Sequence, residues 1–179
     1  MNLETNRLIL NRFNETDAEK VALLAGDIRV VEMTAAIPYP YETSMAVSWI
    51  QNHQRELEEE SNSIYAIRLK ITGELIGCIN LAISPKHKRG VLGYWIGHDF
   101  WGNGYCTEAL LEIIKFGFEE KKLNRIWAQH KTINIASGRV MEKAGMKHEG
   151  IMREHYKQGD RFLDMSTKSI LFGEYRGTL

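Results

Sequence analysis

Residues 93–120 read GYWIGHDFWGNGYCTEALLEIIKFGFEE. A strand-like run, GYWIG, ends in a short Gly-x-Gly loop, and the loop feeds directly into a segment of helical period. Leu110, Ile113, Ile114, Gly117 and Phe118 form one stripe of that segment, and Glu108, Glu112, Lys115 and Glu119 form the opposite one. This is the division of an amphipathic helix. A strand that turns through glycines into a helix N-terminus offers unpaired N–H groups backed by the positive end of the helix dipole. Glycine also lets a ligand approach the backbone closely. Two familiar phosphate motifs are excluded. A P-loop ends in Gly-Lys-Ser/Thr, whereas Gly104 is followed by Tyr105, Cys106 and Thr107. A dinucleotide fingerprint needs a third glycine where Thr107 stands. By itself the loop leaves a phosphate-bearing ligand and a bare turn both open.

On the N-terminal side, RLILNRF (residues 7–13) alternates as a half-buried strand. Thr16 with Glu19 has capping-box spacing and predicts a helix start. Pro38 and Pro40 mark a loop. Thr43 or Ser44 caps a further helix carrying Val47, Ile50, Gln54 and Leu57, with a solvated acidic end at ELEEES. SIYAIRLK and ELIGCINLAI flank a hairpin tip at Gly73. RGVLGYWIG follows after the turn-like SPKHKR.

On the C-terminal side, NRIWAQHK alternates Ile126, Ala128 and His130 against Trp127, Gln129 and Lys131. NIASGRVMEKAGM predicts a short helix, with Asn134 as N-cap, Ala136, Val140 and Ala144 on one face and Gly145 at its end. KHEGIMREHYK and RFLDMSTKSIL form two strands around a turn at Gly159. The order β, α, α, β, β, β, α, β, α, β, β predicts a mixed sheet with helices, of class α/β or α+β.

The 179 residues fit one domain, taken as residues 1–179. Lys+Arg and Asp+Glu both number 23, so no basic excess argues for a nucleic-acid partner. Two cysteines, Cys78 and Cys106, make neither a disulfide framework nor a metal site. No apolar run approaches the ~20 residues of a membrane span. The expectation is a reduced, cytoplasmic protein with no membrane partner and no metal.

LGYWIGHDFWGNGYCTEAL together with NIASGRVMEKAGMKHEG resembles the GNAT superfamily of acetyl-CoA-dependent N-acetyltransferases, and most resembles its RimJ/RimL-type branch of ribosomal-protein N-terminal acetyltransferases. LETNRLILNRF and GIMREHYKQGDRFLDMSTKSIL extend the resemblance over nearly the whole chain. It implies a mostly antiparallel central sheet of about seven strands, splayed between strands 4 and 5, with flanking helices. It implies acetyl-CoA as cosubstrate. The superfamily pattern Gln/Arg-x-x-Gly-x-Gly/Ala falls on Trp101, Gly102, Asn103, Gly104, Tyr105 and Cys106. Trp101 and Cys106 depart from it. Cys106 reads as a packed small residue rather than a reactive thiol.

The resemblance further implies pyrophosphate on the backbone of Gly102, Asn103, Gly104, Tyr105, Cys106 and Thr107. It implies a pantetheine arm along Trp95, Ile96 and Gly97, and an oxyanion donor among the N–H groups near Ile96 or Gly97. Ser137 matches the serine that protonates the leaving thiolate, and Asn134 the asparagine that binds pantetheine. Plain capping remains the alternative for both. For the base, alternation puts Glu154 and Tyr156 on one strand face. Glu154 is the first candidate, Tyr156 a donor beside it, and His130 a satisfied strand histidine.

The acceptor is an amine, with a protein N-terminus first. Tyr39, Tyr41 and Trp49 are candidate pocket walls, and Glu32, Glu42 and Asp99 candidate attractors of a cation. A small-molecule amine acetyltransferase, a non-catalytic acyl-CoA-binding module and a plain interaction domain are the alternatives. A homodimer is compatible with all of them.

Overall fold

The alternating segments assemble into one eight-stranded sheet in the computed structural model, which describes residues 2–58 and 62–176, without the side chains of 54–58 and 176. The strands are β1 (Leu3–Glu4), β2 (Leu8–Asn11), β3 (Asn62–Leu69), β4 (Leu75–Ser84), β5 (Arg89–Ile96), β6 (Arg125–Lys131), β7 (Lys147–Gln158) and β8 (Arg161–Leu171). Their spatial order is β1-β2-β3-β4-β5-β6-β8-β7. Every neighbouring pair is antiparallel except β5 and β6, which run parallel. The helices are α1 (Ala18–Ala25), α2 (Ile28–Met33), α3 (Thr43–Glu58), α4 (Tyr105–Glu119), α5 (Ile135–Lys143) and α6 (Phe172–Arg176).

The period-2 pattern sorts neighbouring residues to opposite faces. Ala66 and Cys78 join Phe13, Val21, Ala46 and Ile50 in the layer under α1 and α3. Ile67 and Ile79 join Leu8, Leu10, Ile113 and Ile126 under α4. Leu8, Leu10, Ile67, Ile79, Ile113 and Ile126 have no exposed surface, and each is worth about 1.5–3 kcal/mol of burial. The apolar stripe of α4 is the buried one, with Leu110, Ile113, Ile114, Gly117 and Phe118 all inside. No helix among the described residues is long and apolar enough to cross a membrane.

Several local expectations change. The two-residue β1 and the short α2 and α6 carry too little periodicity to read from sequence. A 3-10 turn over Glu15–Asp17 precedes α1: Asn14, not Thr16, is its cap, and the Asn14 N–H donates to the Asp17 carboxylate at 2.8 Å. Asp17 also pairs with Arg68 at 2.6 Å, and this tie between β3 and the helix start selects the box. In α5 the buried residues are Gly138 and Met141, while Ala136 is exposed. The side chains of Gln54 and Leu57 and the end of ELEEES lie outside the described residues.

Candidate active site

β5 and β6 pair only from Arg89↔Arg125 to Leu92↔Ala128. Beyond that rung β5 runs on to Ile96 along β4, and β6 runs on to Lys131 along β8. The parallel ladder therefore opens into a gap walled by Gly93–Ile96 on one side and Gln129–Lys131 on the other. The Gly97 N–H donates to Ile76 O on β4 at 2.9 Å. Backbone groups alternate in direction along an antiparallel ladder, so the Ile96 N–H turns the other way, towards the gap. Of the two oxyanion donors expected from sequence, Gly97 is thus already used, and Ile96 is the one that faces the opening. The Trp95 backbone has the same parity as Gly97 and belongs to β4.

The Gly-x-Gly loop begins one turn beyond β5. Gly102 and Gly104 both have φ +78°, a conformation that a Cβ disfavours. Gly104 is the N-cap of α4 and no side chain caps the helix. The first intrahelical bond runs from the Glu108 N–H to Gly104 O at 3.1 Å. The N–H groups of Tyr105, Cys106 and Thr107 therefore lie in the first turn, where a helix leaves its donors without intrahelical partners. Trp101 has a role that Gln/Arg in the pattern would not serve in the same way. Its indole N–H donates to Ile96 O at 2.7 Å, and its ring lies 4.9 Å from that of His98. Burial pushes the Cys106 thiol up to about 12, so it is not a nucleophile near neutral pH.

The loop is braced from the far edge of the sheet, which the sequence did not disclose. Glu108, expected on the solvated stripe of α4, accepts from the Thr5 hydroxyl, from the Arg7 N–H at 2.8 Å and from Arg7 Nε at 2.7 Å. Burial opposes its ionisation, but the hydrogen bonds from Thr5 and Arg7 outweigh that and hold its carboxyl below the usual range. Arg7 also donates to Asn103 O at 3.0 Å and lies 4.7 Å over the Tyr105 ring. Its guanidinium therefore stands beside the open helix end.

Across the gap, α5 starts at Asn134, whose Oδ1 accepts from the Ser137 N–H at 3.0 Å. Capping is therefore a real role for Asn134. Its Nδ2 donates to Met33 O at 3.0 Å. The Ser137 hydroxyl points at Tyr94 on β5, with the two oxygens 2.8 Å apart. This bond joins β5 to α5, the helix that follows the opposite wall. Burial, with a contribution from Cys106, pushes the Tyr94 phenol up against the opposing hydrogen bond from Ser137, so Tyr94 keeps its proton.

Glu154 and Tyr156 do not share a face by simple alternation. Register shifts between Met152↔Met165 and Tyr156↔Leu163, so three residues of β7 stand opposite Asp164 alone. A bulge of that kind breaks the period of two. Glu154 sits in it at φ +50°, exposed, with its N–H donated to Asp164 Oδ1 at 2.8 Å. Tyr156 donates its hydroxyl proton to Ala35 O. Among the described residues no carboxylate hydrogen-bonds to Tyr94 or Ser137.

His130 donates from Nδ1 to Lys131 O at 2.9 Å, and its buried Nε2 has no hydrogen-bond partner among the described residues. Of the expected cation attractors, Asp99 and Glu32 are exposed near the open end of the gap. Asp27, not singled out from sequence, is held down to about 2 by hydrogen bonds from Arg29.

Residues 7–147 match the sequence profile of the acetyltransferase (GNAT) domain. The uncharacterized N-acetyltransferase YoaA of Bacillus subtilis is 32% identical over 170 residues, covering 94% of this chain and 96% of that protein. The ribosomal-protein-serine acetyltransferase of Escherichia coli is 28% identical over 94 residues, 52% of each chain. The crystal structure of a GNAT-family acetyltransferase from Bacillus anthracis superposes with a TM-score of 0.85 at 25% identity, covering 97% of this chain and 99% of the other. The profile match spans most of the chain and the likeness to YoaA nearly all of it, and the chain belongs to the GNAT family of acetyltransferases.

Proposed function

We propose that this acetyltransferase takes its acetyl group from acetyl-CoA and delivers it to the N-terminal amine of a protein, a ribosomal protein being the first candidate. The observation that carries the proposal is the bond between Ser137 and Tyr94 across a gap that ends at an uncapped helix N-terminus. A diphosphate suits the N–H groups of residues 102–107, where the φ +78° glycines leave the backbone open and Arg7 adds positive charge. A pantetheine arm suits the backbone of Tyr94 and Ile96, and the second N–H of Asn134 Nδ2 is available to it as well. Acetyl-CoA supplies a thioester.

The chemistry follows from the side chains around the gap. The Ile96 N–H is assigned to the oxyanion that develops on the carbonyl. Ser137 is assigned to give its proton to the departing thiolate, whose conjugate thiol has a pKa of about 8.5, and to regain one from water to restore the hydroxyl. Either hydroxyl can donate in the bond between Tyr94 and Ser137 Oγ; with Tyr94 as the donor, the serine's own proton is left for the sulfur. Tyr156 is withdrawn from proton transfer, since its one hydroxyl proton already goes to Ala35 O.

The nature of the acceptor rests on what does not flank Ser137. Among the described residues no carboxylate touches Ser137 or Tyr94. A lysine amine, with a pKa of about 10.4, needs a strong base, whereas an α-amine at about 7.7–8.0 is partly neutral already. The released proton goes to water, with Glu154 on the exposed bulge assigned to receive it. The likeness to a ribosomal-protein-serine acetyltransferase supports the same acceptor class.

Incubation with acetyl-CoA and a panel of free N-terminal peptides, N-blocked lysine peptides, polyamines and aminoglycosides, read by mass spectrometry, tests this. Acetylation of the α-amine is expected. Labelling confined to side chains or small amines overturns the acceptor, and CoA binding without transfer to any amine leaves a binding module.

A further inference from the structure

α2 lies across the open end of the β5–β6 gap, and both of its ends are tied down. On the β5 side, Arg29 Nη1 is 3.4 Å from His98 Nε2, just past the end of the strand. On the β6 side, two carbonyls at the end of the helix and one just beyond it each accept from a different element. Glu32 O accepts from Lys131 Nζ at 2.9 Å, at the end of β6. Met33 O accepts from Asn134 Nδ2 at 3.0 Å, at the start of α5. Ala35 O accepts from the Tyr156 hydroxyl on β7. The last carbonyls of a helix have no intrahelical donor, and a cation there also meets the negative end of the dipole.

Lys131 is the unusual member. It is 1% exposed. Its ammonium has Gln158 Oε1 at 2.7 Å and the Tyr156 ring at 4.9 Å as further neighbours. No carboxylate lies within ion-pair distance of it among the described residues. A buried cation without a counter-ion costs desolvation energy that an apolar side chain of the same size avoids. Bulk packing therefore does not account for a lysine here. Three donors aimed at one carbonyl, one amide oxygen and one ring do.

We propose that Lys131, with Asn134 and Tyr156, clamps α2 as a crossbar over the gap, and that this crossbar is the wall past which the acceptor amine reaches the thioester. Lys131 is then a positioning residue that sets acceptor binding. The acceptor part rests on the function proposed above, and the clamp itself does not.

The test is Lys131→Met, which keeps the volume and removes the donors. Hydrogen exchange of the peptide covering residues 28–36 is compared with wild type and with Lys86→Met on the exposed turn. Exchange there is expected to accelerate about tenfold in Lys131→Met, the loss of roughly one good hydrogen bond. The rest of the chain and the calorimetric affinity for CoA should hold. With the amine that wild type uses best, KM for that amine should rise while KM for acetyl-CoA stays. Tyr156→Phe, which removes one bond and no charge, should accelerate the same peptide less, and it serves where Lys131→Met does not fold. Unchanged exchange in residues 28–36, or acceleration spread equally over β6 and α5, overturns the clamp. A rise in KM for acetyl-CoA instead of the amine overturns the acceptor wall. If wild type acetylates no amine, the proposed function fails while the exchange result still decides the clamp.

Discussion

Ser137 and Tyr94 are 43 positions apart in sequence and share a bond 2.8 Å long. If that bond orients the serine proton, the two side chains act on turnover rather than on cofactor binding. Ser137→Ala is expected to lower kcat on the order of 10²-fold, with the CoA dissociation constant changed less than about threefold. Tyr94→Phe should lower kcat about tenfold, because Ser137 stays but loses its partner. Wild-type turnover by Ser137→Ala would remove the serine from the mechanism. His130 carries a separate consequence. Burial lowers its pKa, with Lys168 adding to the effect and the hydrogen bond to Lys131 O opposing it. The ring packs against the backbone of Gly138, where an added Cβ would stand 3.0 Å from it. The folded protein thus takes up this proton at lower pH than the unfolded chain does. Stability from this group is present above about pH 6.5 and is lost as pH falls from there towards the folded value. Urea midpoints at pH 7.5 and 5.5 should fall further for wild type than for His130→Gln, and equal falls would show that His130 titrates freely.

At the scale of the element, the glycine loop is held in place by the opposite end of the chain. Arg7 reaches from before β2 to Glu108, to Asn103 O and to the face of Tyr105. Arg7→Ala should weaken CoA binding about tenfold by calorimetry, through lost charge-assisted bonds that shape the loop. Glu108→Gln, which leaves acceptor oxygen but no charge, should weaken it less. An unchanged affinity in both would mean that the loop holds its shape alone. The loop itself, α4 and α5 were legible in sequence because their periods and caps are local. The brace was not, because nothing near residue 103 announces a guanidinium from residue 7. The same limit applies to the site. Asn134 as N-cap is a local signal and is found. Tyr94 facing Ser137, and the α2 carbonyls facing Lys131, arise only when strands pair. Alternation fails at Glu154, because a bulge obeys register with β8 and not the period of its own strand.

Across the whole molecule, the sheet divides at the gap. β1 to β5 form one half and β6, β8 and β7 the other, and in the sheet the halves meet along four rungs. α4, α5 and the α2 crossbar complete the join. On the function proposed above, CoA would lie in the gap against β5, the α4 N-terminus and the start of α5 together, and so bridge both halves and bind the folded chain alone. Mass action then fixes the size of the effect. At a CoA concentration about 100 times its dissociation constant, the added stability is about 2.7 kcal/mol. For a domain of this length each kcal/mol moves the melting point by roughly 2–4 °C, so a rise of about 5–10 °C is expected. Adenosine 3′,5′-bisphosphate lacks the pantetheine arm and one phosphate of the diphosphate, and so has no means of bridging the strands. At the same concentration it should give a clearly smaller rise. Arg7→Ala should reduce the shift for both ligands, since both use the loop. Equal shifts for CoA and the bisphosphate in wild type would mean that the arm lies outside the gap, and the Ile96 and Ser137 assignments would fall with it.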